Sequence, residues 1–398
     1  MTTRTDATFF PPIPEAQRWL KGVTFPPDRP LINLSQAAPA EPPPPEMLGA
    51  MAAMLQETAT HLYGPVLGLP ALRAALATDW ARHYGAPVTA GQIGITQGCN
   101  QAFAATLSAL TTEGDEVIVP TPWYFNHKMW LDMSGLRAVP LPTGADLIPE
   151  ADAARPLITA RTRAIVLVTP NNPTGAEYPP ETLRAFFDLA RAHGLKLVVD
   201  ETYRDFHSRP GAPHDLLTTP GWDDTLVQLY SFSKVYRLTG HRVGAVIANP
   251  ELLHQIEKFQ DTVAICAPTL GQKAALWGLQ NLGDWKDAQR QEILTRRAAI
   301  AEGFAPLRDR GWQLRGLGAY FAYLDHPFAE GAAALAPRLV REAGVLTLPA
   351  TMFTPSGDAS GERCLRLAFA NTDSAGLARV LDRLARVEGP LATPSGAA

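Results

Sequence analysis

Leu229-Tyr230-Ser231-Phe232-Ser233-Lys234-Val235-Tyr236-Arg237-Leu238-Thr239-Gly240-His241-Arg242-Val243-Gly244 begins where the apolar run Thr225–Leu229 ends. The stretch reads as a loop at the carboxyl end of a strand, with Val243–Ala248 as the next strand. Small hydroxylated residues surround one lysine, and an arginine follows eight residues later. Hydroxyls and a guanidinium suit a phosphate, because they offer several donors and a fixed positive charge. A lysine held among apolar neighbours can lose its proton and become an amine nucleophile. The loop thus proposes a phosphorylated carbonyl compound held as a Schiff base. Taken alone, S-x-S-K is better read as a surface turn, so the other strand ends have to decide.

The bulk properties leave room for such a site. The chain has 398 residues, 46% hydrophobic and 19% charged, enough for one large domain and a smaller companion. Its formal net charge is −4, with no block of like charge, which argues against nucleic acid or an anionic membrane as partner. Cys99, Cys266 and Cys364 are odd in number and far apart, so they suggest neither a disulfide framework nor a metal cluster and fit a reducing, cytoplasmic setting. Met1–Leu20 holds Pro11, Pro12 and Pro14 and no continuous apolar core, unlike a signal peptide. No apolar run is long enough for a membrane span.

Residues 1–45 are proline-rich and aromatic (Phe9, Phe10, Trp19, Phe25) and read as an extended arm that packs on its own small domain or on a partner subunit. Helices are expected at Glu46–His61 and Leu69–Tyr84, separated by a loop carrying Tyr63, Gly64 and Gly68. From there strands and helices alternate. Strands are expected at Ile93–Thr96, Glu116–Val119, Leu136–Leu141, Ala164–Thr169, Leu195–Val199, Thr225–Leu229 and Val243–Ala248, and helices at Asn100–Leu110, Tyr124–Ser134, Glu150–Ala160 and Glu181–Ala192. Short β-branched runs between helices argue an α/β fold with a mainly parallel sheet sandwiched by helices. After Pro250 the pattern changes to a smaller α+β unit, entered by a long charged helix Trp285–Phe304, while Gly389–Ala398 reads as frayed. The division is an arm at 1–45, a large domain at 46–284 and a small domain at 285–398.

Ligands of such sheets sit beyond the carboxyl ends of the strands, and each end carries a suggestive residue. Gly98-Cys99-Asn100 opens a helix, where free backbone N–H groups favour an anion. Trp123 and Tyr124 follow the next strand and could stack on a planar ring, or simply pack. In Thr169-Pro170-Asn171-Asn172-Pro173-Thr174-Gly175 the prolines make a rigid turn that can fix an asparagine amide. Asp200 ends an apolar strand as a helix N-cap or as a buried acid, and burial is tolerable only beside a cationic partner. A phosphate cradle, an aromatic platform, a fixed amide, an acid, then lysine with arginine occur in order on one sheet edge.

In this combination the chain resembles the class I/II aminotransferases, the fold-type-I pyridoxal 5′-phosphate (PLP) enzymes, from about Leu31 to Val387. The motifs that carry it are N-N-P-T-G at 171–175, D-E-x-Y at 200–203, and S-x-S-K followed by R-x-G at 231–244. The resemblance implies that Lys234 carries PLP as a Schiff base, that Asp200 faces the pyridine nitrogen, and that Asn172 and Tyr203 bond its phenolic oxygen. Tyr124, favoured over Trp123, would stack on the ring. The backbone at Gly98, Cys99 and Asn100, with Ser231, Ser233 and Arg242, would hold the phosphate, and Tyr63 would reach the phosphate of the second subunit of a homodimer. Arg366, within Leu365-Arg366-Leu367-Ala368-Phe369, would clamp the α-carboxylate of an amino acid or 2-oxo acid, the alternative being a surface arginine on an edge strand.

The arm departs from the family's pattern: Leu34-Ser35-Gln36-Ala37-Ala38-Pro39 has Ala37 where a glycine usually lies close to substrate, and Cys99 is less usual in the phosphate turn. The resemblance implies an aminotransferase working by a ping-pong mechanism. A cysteine-conjugate β-lyase on the same scaffold is the alternative, and a PLP-binding regulatory domain a remote one. No second cation for a dicarboxylate substrate is assignable, Arg18, Lys21 and Arg29 being candidates. Phe10, Trp19, Trp123 and Phe353 hint at a neutral or aromatic side chain or are core.

Overall fold

The computed structural model describes residues 3–392. The strands, in chain order, are β1 (Ile32–Asn33), β2 (Ile93–Thr96), β3 (Glu116–Thr121), β4 (Arg137–Pro142), β5 (Thr162–Val168), β6 (Lys196–Asp200), β7 (Leu226–Ser231), β8 (Gly244–Ile247), β9 (Gln313–Gly318), β10 (Phe321–Asp325), β11 (Val345–Leu346), β12 (Leu348–Pro349) and β13 (Cys364–Ala368). A seven-stranded sheet has the order β2-β8-β7-β6-β5-β3-β4. Its pairs from β7 through β4 are parallel, and β8 runs antiparallel to both neighbours, so the sheet is mainly parallel as expected. Every residue of β3 and β7 is buried, which is why these segments read as largely apolar stretches rather than as an alternation.

Helices cover the sheet by the expected periodicity. Helix Pro180–Ala192 buries Leu183, Phe186, Phe187 and Ala190, spaced by three and four residues so that they share one face. The long charged helix spans Gly283–Gly303 and buries only Ile293, Arg296 and Ile300, as suits a connector wetted along most of its length. Beyond it lies an antiparallel four-stranded sheet of order β12-β13-β10-β9. The arm is tied to this smaller unit: β1 pairs in parallel with β11, and Ala368 N–H donates to Leu34 O (2.8 Å).

Several expected elements differ. The helix expected at Glu46–His61 runs only from Pro45 to Met54, followed by a 3-10 turn at Thr58–His61. Thr60 Oγ1 donates to Met54 O and His61 Nε2 lies 2.9 Å from Leu55 O, so side chains take up the terminal carbonyls and stop the helix. The helix expected at Glu150–Ala160 is a single turn, Ala151–Ala154, then a 3-10 turn at Arg155–Leu157. Pro156 has no N–H with which to continue it. The arm is not wholly extended: Pro12–Arg18 is helical, entered through prolines at its start. Of the segment read as frayed, Pro390 O accepts from Ala329 N–H and Ala392 N–H donates to Pro327 O, both at 2.8 Å, so this part is anchored; residues 393–398 lie outside the described residues.

Candidate active site

The sheet gathers the strand-end residues by its topology. β2 ends at Thr96, and after Gly98 a helix runs from Cys99 to Leu110. Gly98 has φ 82°, and a Cβ there would stand 2.3 Å from Arg242 Nη2. Gly244 is equally constrained, since its Cβ would come within 2.6 Å of Gly98 C and 2.8 Å of Cys99 N. Two glycines therefore let β8 and the helix-opening turn lie in backbone contact. Arg242 bridges the same turn, Nη1 donating to Thr239 O (3.0 Å) and Nη2 to Gln97 O (3.3 Å). Both partners are carbonyls, and among the described residues no carboxylate pairs with this guanidinium.

Asp200 ends β6 and is 3% exposed. Its Oδ1 accepts from Thr202 N–H (2.9 Å), and His127 Nε2 lies 3.2 Å from Oδ2. Burial presses its carboxyl pKa upward, but His127 and Thr202 outweigh burial and hold it below the usual carboxylate range. The His127 ring is itself stacked on Phe103, centroids 3.8 Å apart. Sequence reasoning missed this histidine. The signal was available: a buried acid demands a donor, and His127 closes the adjoining strand-end stretch Pro120–His127.

Lys234 sits between these two poles, its Nζ donating to Ala37 O (2.6 Å). Burial, then the positive charges of Arg242 and Arg366, bring its pKa down to about 8, against the weaker upward pull of Cys99 and Asp200. Ser231 ends β7, and its Oγ accepts from Ser233 N–H (3.2 Å), holding the two serines on one side of the lysine. Arg366 is not on an edge. Its strand, β13, lies between β12 and β10, and the residue is 1% exposed. Nη1 donates to Asn172 Oδ1 (3.2 Å), Nη2 donates to Ser35 O, and Nε is buried without a partner.

Of the residues expected at the site, all but Gly98 and Tyr63 line a single cavity. Gly98 acts beneath its wall, as above. Tyr63 is 80% exposed on the outer surface, and this chain does not bring it to its own cavity. Tyr124 faces the cavity and donates to Asn100 Oδ1 (3.3 Å), whereas Trp123 packs away from it among Cys99, Leu131 and Val119. Tyr203 is buried against Tyr320 and Phe321, and Lys234 Nζ lies 5.7 Å from its ring centroid.

These residues fit PLP. An anion is served by Arg242, by Ser231 and Ser233, and by the first-turn amides of the helix at Cys99–Leu110, which have no intrahelical acceptor. An acid stands at the other pole and an amine of lowered basicity between them. Together with the fold, this set defines a PLP-dependent enzyme that transfers amino groups. A family model described as aminotransferase class I and II matches residues 29–384, and the chain belongs to that family. It is 32% identical to the aspartate/prephenate aminotransferase of Thermus thermophilus over 340 residues, 82% of this chain and 83% of that one. It is 33% identical to an arginine–pyruvate transaminase of Pseudomonas aeruginosa over 308 residues, 75% of this chain and 76% of that one. Among solved structures, the Thermus thermophilus aspartate aminotransferase with maleate superposes with a TM-score of 0.86 at 28% identity, covering 97% of this chain and 99% of the other.

Proposed function

We propose that the chain exchanges an amino group between an amino acid and a 2-oxo acid in a ping-pong cycle, with Lys234 as the residue that holds PLP and moves the proton. When bound, PLP supplies an electron sink for the substrate's α-carbon. Asp200 stays ionised by virtue of His127 and Thr202 and stabilises positive charge on the ring nitrogen. Tyr124 would stack on the cofactor's ring, and Asn172 and Tyr203 would bond its phenolic oxygen, all three lining the cavity. Arg242, Ser231, Ser233 and the amides of Cys99 and Asn100 hold the phosphate. Arg366 presents its fork to the α-carboxylate, with Asn172 and Ser35 O fixing its plane. Lys234 Nζ, an amine of lowered basicity, would hold PLP and, when freed, would be the base that takes up the proton from the substrate's Cα. Ala37, whose carbonyl accepts from Lys234 Nζ, lines the same cavity.

The observation that carries this reading is one amine with pKa about 8, set in a single cavity with a carboxylate-free Arg242 and a buried, partnered Asp200. No observation favours the β-lyase alternative. The test is spectral titration of the holoenzyme with a panel of amino acids: the visible cofactor band should be lost with release of one equivalent of oxo acid. If no amino acid bleaches the band, transamination is wrong.

A homodimer is part of the proposal. Six of the exposed large hydrophobics (Leu48, Leu55, Leu62, Tyr63, Val263 and Ile265) fall on the helix Pro45–Met54, the loop after it and the end of the helix Pro250–Ala264. These segments touch, with Thr269 Oγ1 donating to Leu62 O and Gly64 N–H to Cys266 Sγ. Exposed apolar residues on neighbouring segments that also carry Tyr63 suit a second copy of the chain. The division at 46–284 and 285–398 is likewise proposed; its support is that the seven-stranded sheet falls within the first range and the four-stranded sheet within the second. Three free thiols suit a reducing, cytoplasmic compartment.

A further inference from the structure

We infer that the amino donor carries an uncharged, apolar side chain and that the cavity discriminates against acidic and basic ones; this rests on the aminotransferase reading above. With Lys234, Asp200, Arg242 and Arg366 engaged, no further charged side chain lines the cavity among the described residues. The wall beside the α-carboxylate clamp can be traced from Arg366. Its guanidinium carbon stands 5.0 Å from the Phe353 ring centroid, and Phe353 packs on Phe125 at 5.4 Å. Phe125 and Ile13 belong to the same apolar cluster and both face the cavity. Gln36, Ala38 and Asn126 complete that side with neutral groups.

The cations of the arm are elsewhere. Arg18 lies 3.3 Å from Glu15, with its guanidinium 3.7 Å above the Phe10 ring. Lys21 is exposed, and Arg29 donates to Glu342 O on the small unit. Of the arm's acids, Glu41 is committed elsewhere, pairing with Arg237 (3.6 Å) and Arg296 (4.0 Å). The aromatics read either as a hint of this specificity or as core divide as follows. Trp123, Trp19 and Phe353 are packing residues and Phe10 is at the surface, while Phe125 and Ile13 supply the apolar wall. A distal carboxylate or guanidinium brought here would lose its hydration and find no counter-charge on this chain's described residues. A branched or aromatic side chain would instead shed water against Ile13 and Phe125.

The test uses the wild-type holoenzyme in single-turnover half-reactions with leucine, methionine, phenylalanine, aspartate, glutamate and arginine. The neutral donors should exceed the charged ones in kcat/KM by on the order of 100-fold, the scale of an unpaired buried charge. Aspartate, glutamate or arginine matching the neutral donors would overturn the inference while leaving the aminotransferase reading intact. Failure of every donor would remove that reading and this inference with it. Ile13→Arg should shift the aspartate-to-leucine ratio toward aspartate by at least about tenfold. An unchanged ratio in a folded, PLP-loaded variant would contradict the assignment of this wall.

Discussion

His127 Nε2 stands 3.2 Å from Asp200 Oδ2, and both side chains are shut away from water. Asp200 owes its charge to that partner, because its own burial favours the neutral acid. Removing His127 should therefore act through Asp200.

His127→Ala should lower kcat by about 10- to 100-fold, the scale of one charge-assisted hydrogen bond. Asp200's carboxyl pKa, now held down in the folded state, would rise, so the acid limb of the kcat profile should move to higher pH. His127→Gln keeps a donor and should recover part of the loss. An unchanged kcat and an unmoved acid limb in His127→Ala would show that Asp200 does not depend on this histidine.

Gly244→Ala tests the backbone contact beneath the phosphate cradle. Its Cβ would meet Gly98 C at 2.6 Å, and neither backbone can move without displacing Arg242 or the helix start. The cost should be about 1–3 kcal/mol, as for overpacking in a filled core. Thermal unfolding and the PLP dissociation constant report it together: both should worsen. A variant with wild-type values for both would mean that the turn has slack.

The lowered pKa of Lys234 gives a pH dependence with a definite sign. In PLP-free protein the amine attacks only when deprotonated, so reloading with PLP should accelerate about tenfold per pH unit up to about 8 and then level off. Stability follows the same group. Its folded pKa lies below the unfolded value, about 10.4. Between about 8 and that value the unfolded chain binds more protons, so this lysine makes stability rise with pH there. A reloading rate flat between pH 6 and 9 would contradict the assignment.

Arg366→Lys keeps the charge but loses the fork. The KM values for amino acid and oxo acid should rise together by about 10- to 100-fold, for the loss of one charge-assisted bond. PLP affinity should change much less than these KM values, because Arg366 reaches the cofactor's expected ligands only through Asn172. Equal KM values in wild type and variant would remove Arg366 from the carboxylate site.

The parallel sheet was legible because β3, β5, β6 and β7 are wholly or almost wholly buried and so wrote themselves as apolar runs. The loop at Ser231–Gly244 was legible because a phosphate cradle needs its hydroxyls, lysine, arginine and glycine close together in sequence. Contacts between distant segments were not. His127 meets Asp200 only once the sheet is ordered: a buried acid calls for a donor, but the strand order decides which one. Helix ends were misread where side chains decide them, as Thr60 does after Met54. The role of the arm was undecided because its apolar residues serve two purposes that composition cannot separate: half-buried Trp19 packs against the core while Ile13 faces the cavity.

The central claim is that Lys234 is the amine that carries PLP. Borohydride reduction of the holoenzyme, followed by digestion and peptide mass mapping, tests it most directly. The account requires a pyridoxyl group on the peptide containing Lys234 and on no other lysine, and none in Lys234→Ala. A pyridoxyl group fixed to a different lysine, or retained in that variant, would contradict it.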